Sequence, residues 1–189
     1  MFEAKIEVQP DATPSWTPSR PVAYKLRGEM KKQINNLLEA GVIEECNDSK
    51  WNSAVFLVEK PHKPGSYRFV ADLRGVNKVC LPNQYQLPNV NHVVDRIGKC
   101  RFFSTFDMSQ SFHQARYSPD SRKIVSFTFE IKRYQFLSMV MGHRNSSAQF
   151  SQLMDLLLSD ILIHELSYFL DDILLGSLSL SGSISKNLN

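Results

Sequence analysis

The chain is short of cysteine, of net charge and of long apolar runs, and each shortage closes off a class of protein. Only Cys46, Cys80 and Cys100 are present. They are odd in number and show no Cys-x-x-Cys spacing, so neither a disulfide framework nor a zinc site is expected, and a reducing compartment is the simpler reading. No apolar run is long enough to span a membrane, and the opening MFEAKIEVQPDATPSW has no signal-peptide core. The expectation is an intracellular, cytoplasmic protein with no membrane partner. The formal net charge is only +3, so no strong global field announces a nucleic-acid partner. There is no internal repeat.

What is present is the composition of an ordinary globular domain: 189 residues, 42% hydrophobic and 22% charged. Pro10, Pro14, Pro18 and Pro21, four of the nine prolines, fall within residues 1–24 and predict an extended arm rather than packed regular structure. Leu26, Met30, Ile34, Leu37 and Leu38 then recur at helical spacing, with Gly41 where a helix-ending glycine belongs. AVFLVEK (54–60) and SYRFVADL (66–73) read as a hairpin around PHKPG, with lysines at its tip. Lys60, Lys63, Arg68, Arg74 and Lys78 face the single acid Asp72, a local excess of +4 that suits either a solvated face or a phosphate site. Val90, Val93, Val94 and Ile97 mark a second helix closed by Gly98. RFFSTFDM (101–108) is an apolar strand ending near Asp107, and a long amphipathic helix begins at Asn145. The serine-rich residues 178–189 read as a disordered tail, leaving 25–177 as one domain.

The chemistry concentrates in SYFLDDILLGS (167–177), where Asp171 and Asp172 sit between short apolar flanks that predict a tight hairpin. Asn-Gly or Asp-Gly would make that turn more cheaply, and ionised carboxylates are costly near a core without compensation. The mixed order of strands and helices indicates α+β. If the strand ending at Asp107 neighbours the hairpin in one sheet, three carboxylates meet at one edge and repel unless cations hold them. Carboxylate oxygen suits Mg²⁺ or Mn²⁺, and no His or Cys in the cluster favours zinc. Two such ions about 3.5–4 Å apart form the clamp used for in-line attack at phosphorus.

These residues, in this order, resemble the reverse transcriptase domain of LTR retrotransposons, nearest the gypsy-like group and more distantly the retroviral enzymes. The blocks are KKQINNLLEAGVIEE with SKWNSAVFLVEK, then SYRFVADLRGVNKV, then YQLPNVNHVVDRIGKCRFFSTFDMSQSFHQA, then YQFLSMVMGHRNSSAQFSQLM, and the aromatic-x-Asp-Asp box FLDD. The resemblance implies the palm and fingers of a right-hand polymerase and RNA-directed DNA synthesis from a dNTP onto a primer paired with an RNA or DNA template. It implies two Mg²⁺ (or Mn²⁺) ions on Asp107, Asp171, Asp172 and the Met108 backbone carbonyl. Arg68 with Lys60 or Lys63 would meet the triphosphate, Phe112 would be the steric gate against a 2′-hydroxyl, and Gly142 would allow close backbone approach. Arg74, Asn77 and Phe169 would lie along the nucleic acid. Protease, RNase H and integrase parts would accompany the domain in a full-length element, inside a virus-like particle.

Blander roles compete for several of these residues. Phe112 alone reads as a core aromatic, Asp72 as a partner of Arg68 or Arg74, His113 and Gln114 as packing or surface residues, and Asp95, Asp155 and Asp160 as solvated. The pattern also departs from the family's wording. Phe169 stands where this group usually has Tyr. Val140 and Ser147 replace two prolines and His143 an apolar residue, which predicts a looser turn around Gly142. After Gly176 the motif resemblance ends, and the thumb that should follow is missing, so the expectation is a fragment. Two readings result, a polymerase module or a catalytically inactive remnant that binds metal or nucleic acid weakly. An unrelated RNA-binding module ranks last, because the aromatics read as buried rather than as an exposed stacking platform.

Overall fold

The computed structural model describes residues 2–87, 89–159 and 166–178. The expected disordered tail at 178–189 therefore lies, beyond Leu178, outside the described residues, as do Ile161 and Asp160. Two compact units form: residues 1–82 with 112–146, and residues 83–111 with 147–189.

In the first unit, helix α1 (Tyr24–Glu39) buries Met30 and Ile34. It ends as the sequence predicts. Gly41 takes φ +62°, and the N–H groups of Gly41 and Val42 reach back to the Leu38 and Leu37 carbonyls at 2.9 Å each. That is the pairing of a Schellman end, which only a residue at ease with positive φ makes cheaply. Strand β1 (Ile43–Glu45) pairs with β6 (Lys132–Phe136), which in turn pairs with β5 (Ser126–Phe129), all antiparallel. The hairpin β2 (Ala54–Glu59) and β3 (Tyr67–Asp72) matches its expected bounds closely. Short helices α2 (Arg74–Val79), α4 (Ser111–Gln114) and α5 (Pro119–Arg122) complete this part, α4 starting at the last residue of the second unit's first segment. Phe127 is the centre of the core, with ring centroids 5.3 Å from Phe69, 5.3 Å from Tyr134 and 5.4 Å from Phe136.

The proline-rich arm is extended, as expected, but it is packed. Ala4 and Ile6 are buried, and isolated bridges pair Ala4 with Tyr117, Val8 with Cys80 and Trp16 with Asn52. Prolines bar the arm from a regular ladder while leaving single bridges possible.

In the second unit, helix α3 (Val90–Ile97) is capped by the Asn89 side chain on the Asn91 N–H at 2.9 Å. Strand β4 (Phe102–Asp107) pairs with β8 (Asp172–Ser177), and β8 with β7 (Leu166–Phe169), giving the order β4-β8-β7. Helix α6 (Ser146–Leu158) precedes β7. Here one expectation fails: the aromatics of β4 are not buried. Phe102, Phe103 and Phe106 are 42%, 53% and 56% exposed, and all six residues of β4 are exposed, so neither face of this strand is covered.

Candidate active site

The condition set by the sequence holds: the strand ending at Asp107 is a neighbour of the hairpin. Asp107 is paired directly with Asp172 in the β4–β8 ladder, and Asp172 with Phe169 in the β7–β8 ladder. Residues directly opposite in an antiparallel pair project from the same face, and like charges there are destabilising. The turn differs from the one expected. Its two residues are Leu170 and Asp171, while Asp172 is the first residue of β8. Leu170 takes φ +53°, a conformation costing a branched side chain about 1–3 kcal/mol and typical of functional sites. Gln110, just past β4, is likewise at φ +50°. Asp171 is fixed twice: its carbonyl accepts from the Met108 N–H at 3.0 Å and its Oδ1 from Ser111 Oγ at 2.7 Å. Ser111 was not legible as a site residue, since a serine in DMSQS carries no pattern of its own.

The donors at this sheet end are carboxylate and carbonyl oxygens, the right kind for Mg²⁺ or Mn²⁺. The Asp107–Asp172 pairing sets two such carboxylates on directly opposite ladder positions. The third carboxylate is engaged by Ser111, and among the described residues no group of three or more His, Cys, Asp or Glu side chains is gathered closely enough to hold a metal.

The residues expected to meet nucleotide and nucleic acid lie in the first unit, apart from Phe169. Lys60, Lys63 and Arg68 are exposed on the β2–β3 hairpin, and among the described residues none has a side-chain partner. The hairpin tip is shaped by His62 at φ +62° and by the Gly65 N–H, which donates to Glu59 Oε1 at 2.7 Å. Asp72 pairs with Arg74 rather than Arg68. Arg74 Nε and Nη2 donate to its two oxygens at 2.8 and 2.6 Å, and Arg20 stands at 3.8 Å. The Arg74 hydrogen bonds, first among the causes, hold the Asp72 carboxyl below its usual range. Phe112 is buried, at 8% exposure, and so presents little ring surface. Phe169 is 36% exposed beside Asp172.

The family model described as reverse transcriptase (RNA-dependent DNA polymerase) matches residues 58–188, more than half of the chain and past the Gly176 at which the motif resemblance ends. The chain belongs to the reverse transcriptase family. It is 33% identical over 92% of its length to the retrovirus-related Pol polyprotein of transposon 297 and 30% identical over 87% to that of transposon opus, both from Drosophila melanogaster. It spans 17% of each of those polyproteins. Among solved structures it is similar to the foamy viral protease-reverse transcriptase in complex with RNA/DNA hybrid, with a TM-score of 0.78 at 26% identity. That match covers 90% of this chain and 22% of the other. The fold is the palm-and-fingers part of a reverse transcriptase.

Against the reverse transcriptase motif, the turn that lacks its prolines is stitched by side chains instead. Gly142 takes φ +90°, where a side chain would be strained. Its carbonyl accepts from Asn77 Nδ2 at 2.8 Å, and Asn77 Oδ1 accepts from the Arg144 N–H at 2.9 Å. Asn145 Nδ2 donates to the Leu81 carbonyl at 2.7 Å, and Ser146 Oγ to the Val140 carbonyl at 2.9 Å. His143 is buried with Nε2 3.3 Å from Cys80 Sγ. Burial pushes its pKa down to about 4, and burial raises that of Cys80. A neutral imidazole and a thiol thus fill the space of the expected apolar residue.

Proposed function

We propose that this chain is the fingers-and-palm module of an RNA-directed DNA polymerase, working within a larger Pol polyprotein beside protease, RNase H and integrase parts. The substrates are a dNTP and the 3′-hydroxyl of a primer on an RNA or DNA template, in a cytoplasmic particle. One observation carries the reading: two carboxylates face each other in register at the end of an otherwise uncharged ladder, Asp107 against Asp172. Such repulsion is retained where a cation is to be bound.

Asp107, Asp172 and Asp171, with the Met108 carbonyl, would hold two Mg²⁺ or Mn²⁺ ions. Bound there, the ions would supply activation of the primer hydroxyl and charge neutralisation on the triphosphate. Lys60 or Lys63 with Arg68 would grip the β and γ phosphates; their exposure, and the absence of side-chain partners among the described residues, suit that task. Gly142, in its stitched turn, would let backbone approach the nucleotide, and Phe112 would exclude a ribose 2′-hydroxyl. Arg74, Asn77 and Phe169 would follow the strands. Catalysis of this kind rests on positioning and charge rather than covalent chemistry.

The test is primer extension on an RNA template with Mg²⁺ and dNTPs, comparing the natural chain with Asp172→Asn. Extension by the natural chain alone supports the assignment. Equal signals from both remove it, and no extension from a folded chain marks a module that cannot turn over by itself.

A further inference from the structure

Asp155 reads from the sequence as a solvated helix residue, and the fold places it elsewhere. It is half-buried on α6, and its Oδ2 accepts a close hydrogen bond from the hydroxyl of Tyr85, 70 residues earlier in the chain. One helical turn before it, the Ser151 carbonyl accepts from the Tyr168 hydroxyl at 2.9 Å. In an α-helix that same carbonyl receives the Asp155 N–H, so Tyr168 and Asp155 converge on one point of α6. Tyr168 is 4% exposed and sits in β7 paired with Ile173, next to the Phe169–Asp172 pair. The order of contacts is therefore Tyr85, Asp155, Tyr168, then the strand that carries the carboxylates.

Both phenols respond to Asp155. The Tyr85 pKa is pushed up to about 12, chiefly by its hydrogen bond to Asp155. That of Tyr168 is raised by burial first and by Asp155 second. A phenol donating to a carboxylate is a directional, charge-assisted bond. Apolar packing alone would leave β7 free to shift along α6, whereas hydrogen bonds at one carboxylate and one carbonyl fix its position. Asn83 Oδ1, accepting from the Tyr85 N–H at 2.8 Å, shapes the loop that presents the phenol.

We propose that Asp155 is a positioning residue for the carboxylate hairpin: with Tyr85 it clamps the 83–87 loop to α6 and, through Tyr168, fixes where Asp172 stands opposite Asp107. This inference rests on the metal-binding role given above to that pair, and deepens it. Asp155 touches neither substrate nor metal. It acts through Tyr168 and the ladder, as supporting partners do around metal ligands.

The test uses the whole chain as Tyr85→Phe, Asp155→Asn and the double variant. Amide hydrogen exchange over Leu166–Ser177 is followed together with Mn²⁺ affinity by electron paramagnetic resonance. Each single variant should speed exchange in the hairpin about tenfold and weaken Mn²⁺ binding about tenfold. Strands β2 and β3 should be unchanged, and the double variant should be no worse than either single, because both remove one bond. Unchanged hairpin exchange in both singles overturns the clamp. So does loosening spread equally over β2 and β3, which would mark general destabilisation. Asp107→Asn is the separating control. If the natural chain binds Mn²⁺ no better than this variant, the metal reading fails, while the exchange data still decide whether the clamp exists.

Discussion

Asp72 in the first unit and the Asp107–Asp172 pair in the second are treated in opposite ways. In the first, Asp72 is neutralised where it stands, by a bidentate Arg74 with Arg20 nearby. The aromatic side chains of that unit close around Phe127, which is fully buried. In the second, Asp107 meets Asp172 across a ladder, and among the described residues neither forms a salt bridge. The aromatics of that strand stay exposed. Asp72 finds its counter-charge two residues away, in Arg74. A charge left in register with its like costs stability, and on the reading proposed above a bound cation would offset that cost.

The sharpest way to break this contrast is at the unpaired charges. Asp107→Asn should lower primer extension by on the order of 10³-fold, whereas Asp72→Asn should leave measurable extension, compared in one steady-state assay. The core differs next. Phe127→Ala should cost about 3–5 kcal/mol in urea unfolding, and Phe106→Ala, at 56% exposure, about 1 kcal/mol or less. Equal losses would mean that β4 is buried in solution.

His143 then sharpens the account of the first unit. Its folded pKa of about 4 lies below the ordinary 6.5, so the unfolded chain binds the proton first. Stability is complete above about pH 6.5 and falls as pH drops towards 4, by on the order of 2–3 kcal/mol. His143→Leu should flatten that part of the stability–pH curve. The smallest effect is expected at Asn77→Ala. Losing its bonds to Gly142 and Arg144 should cost about 1 kcal/mol and speed proteolysis within 141–145.

Much of the fold was legible because its signals are local. The β2–β3 hairpin is marked by the prolines and glycine of its loop, α1 by its apolar spacing and Gly41, and β4 by a run ending at Asp107. The site was legible as three aspartates but not as a geometry. That Asp172 belongs to a strand and Leu170 to the turn depends on ladder register, which no residue type specifies. The Ser111, Tyr85 and Asp155 contacts join positions up to 70 residues apart, and a lone Ser, Tyr or Asp says nothing of its partner. The arm misled because prolines report an extended backbone and not whether it docks. The β4 aromatics misled because an apolar run does not say whether anything covers the strand, and all of β4 is exposed.

The most direct measurement is thermal unfolding of the natural chain and Asp172→Asn, each with and without Mn²⁺. Without metal the variant should be the more stable by about 0.2–1 kcal/mol, since it loses a like-charge opposition. With Mn²⁺ the order should reverse, because only the natural chain gains binding energy. If Mn²⁺ raises both equally, or neither, and the variant is no more stable without it, the opposed carboxylates are not a cation site and the account fails.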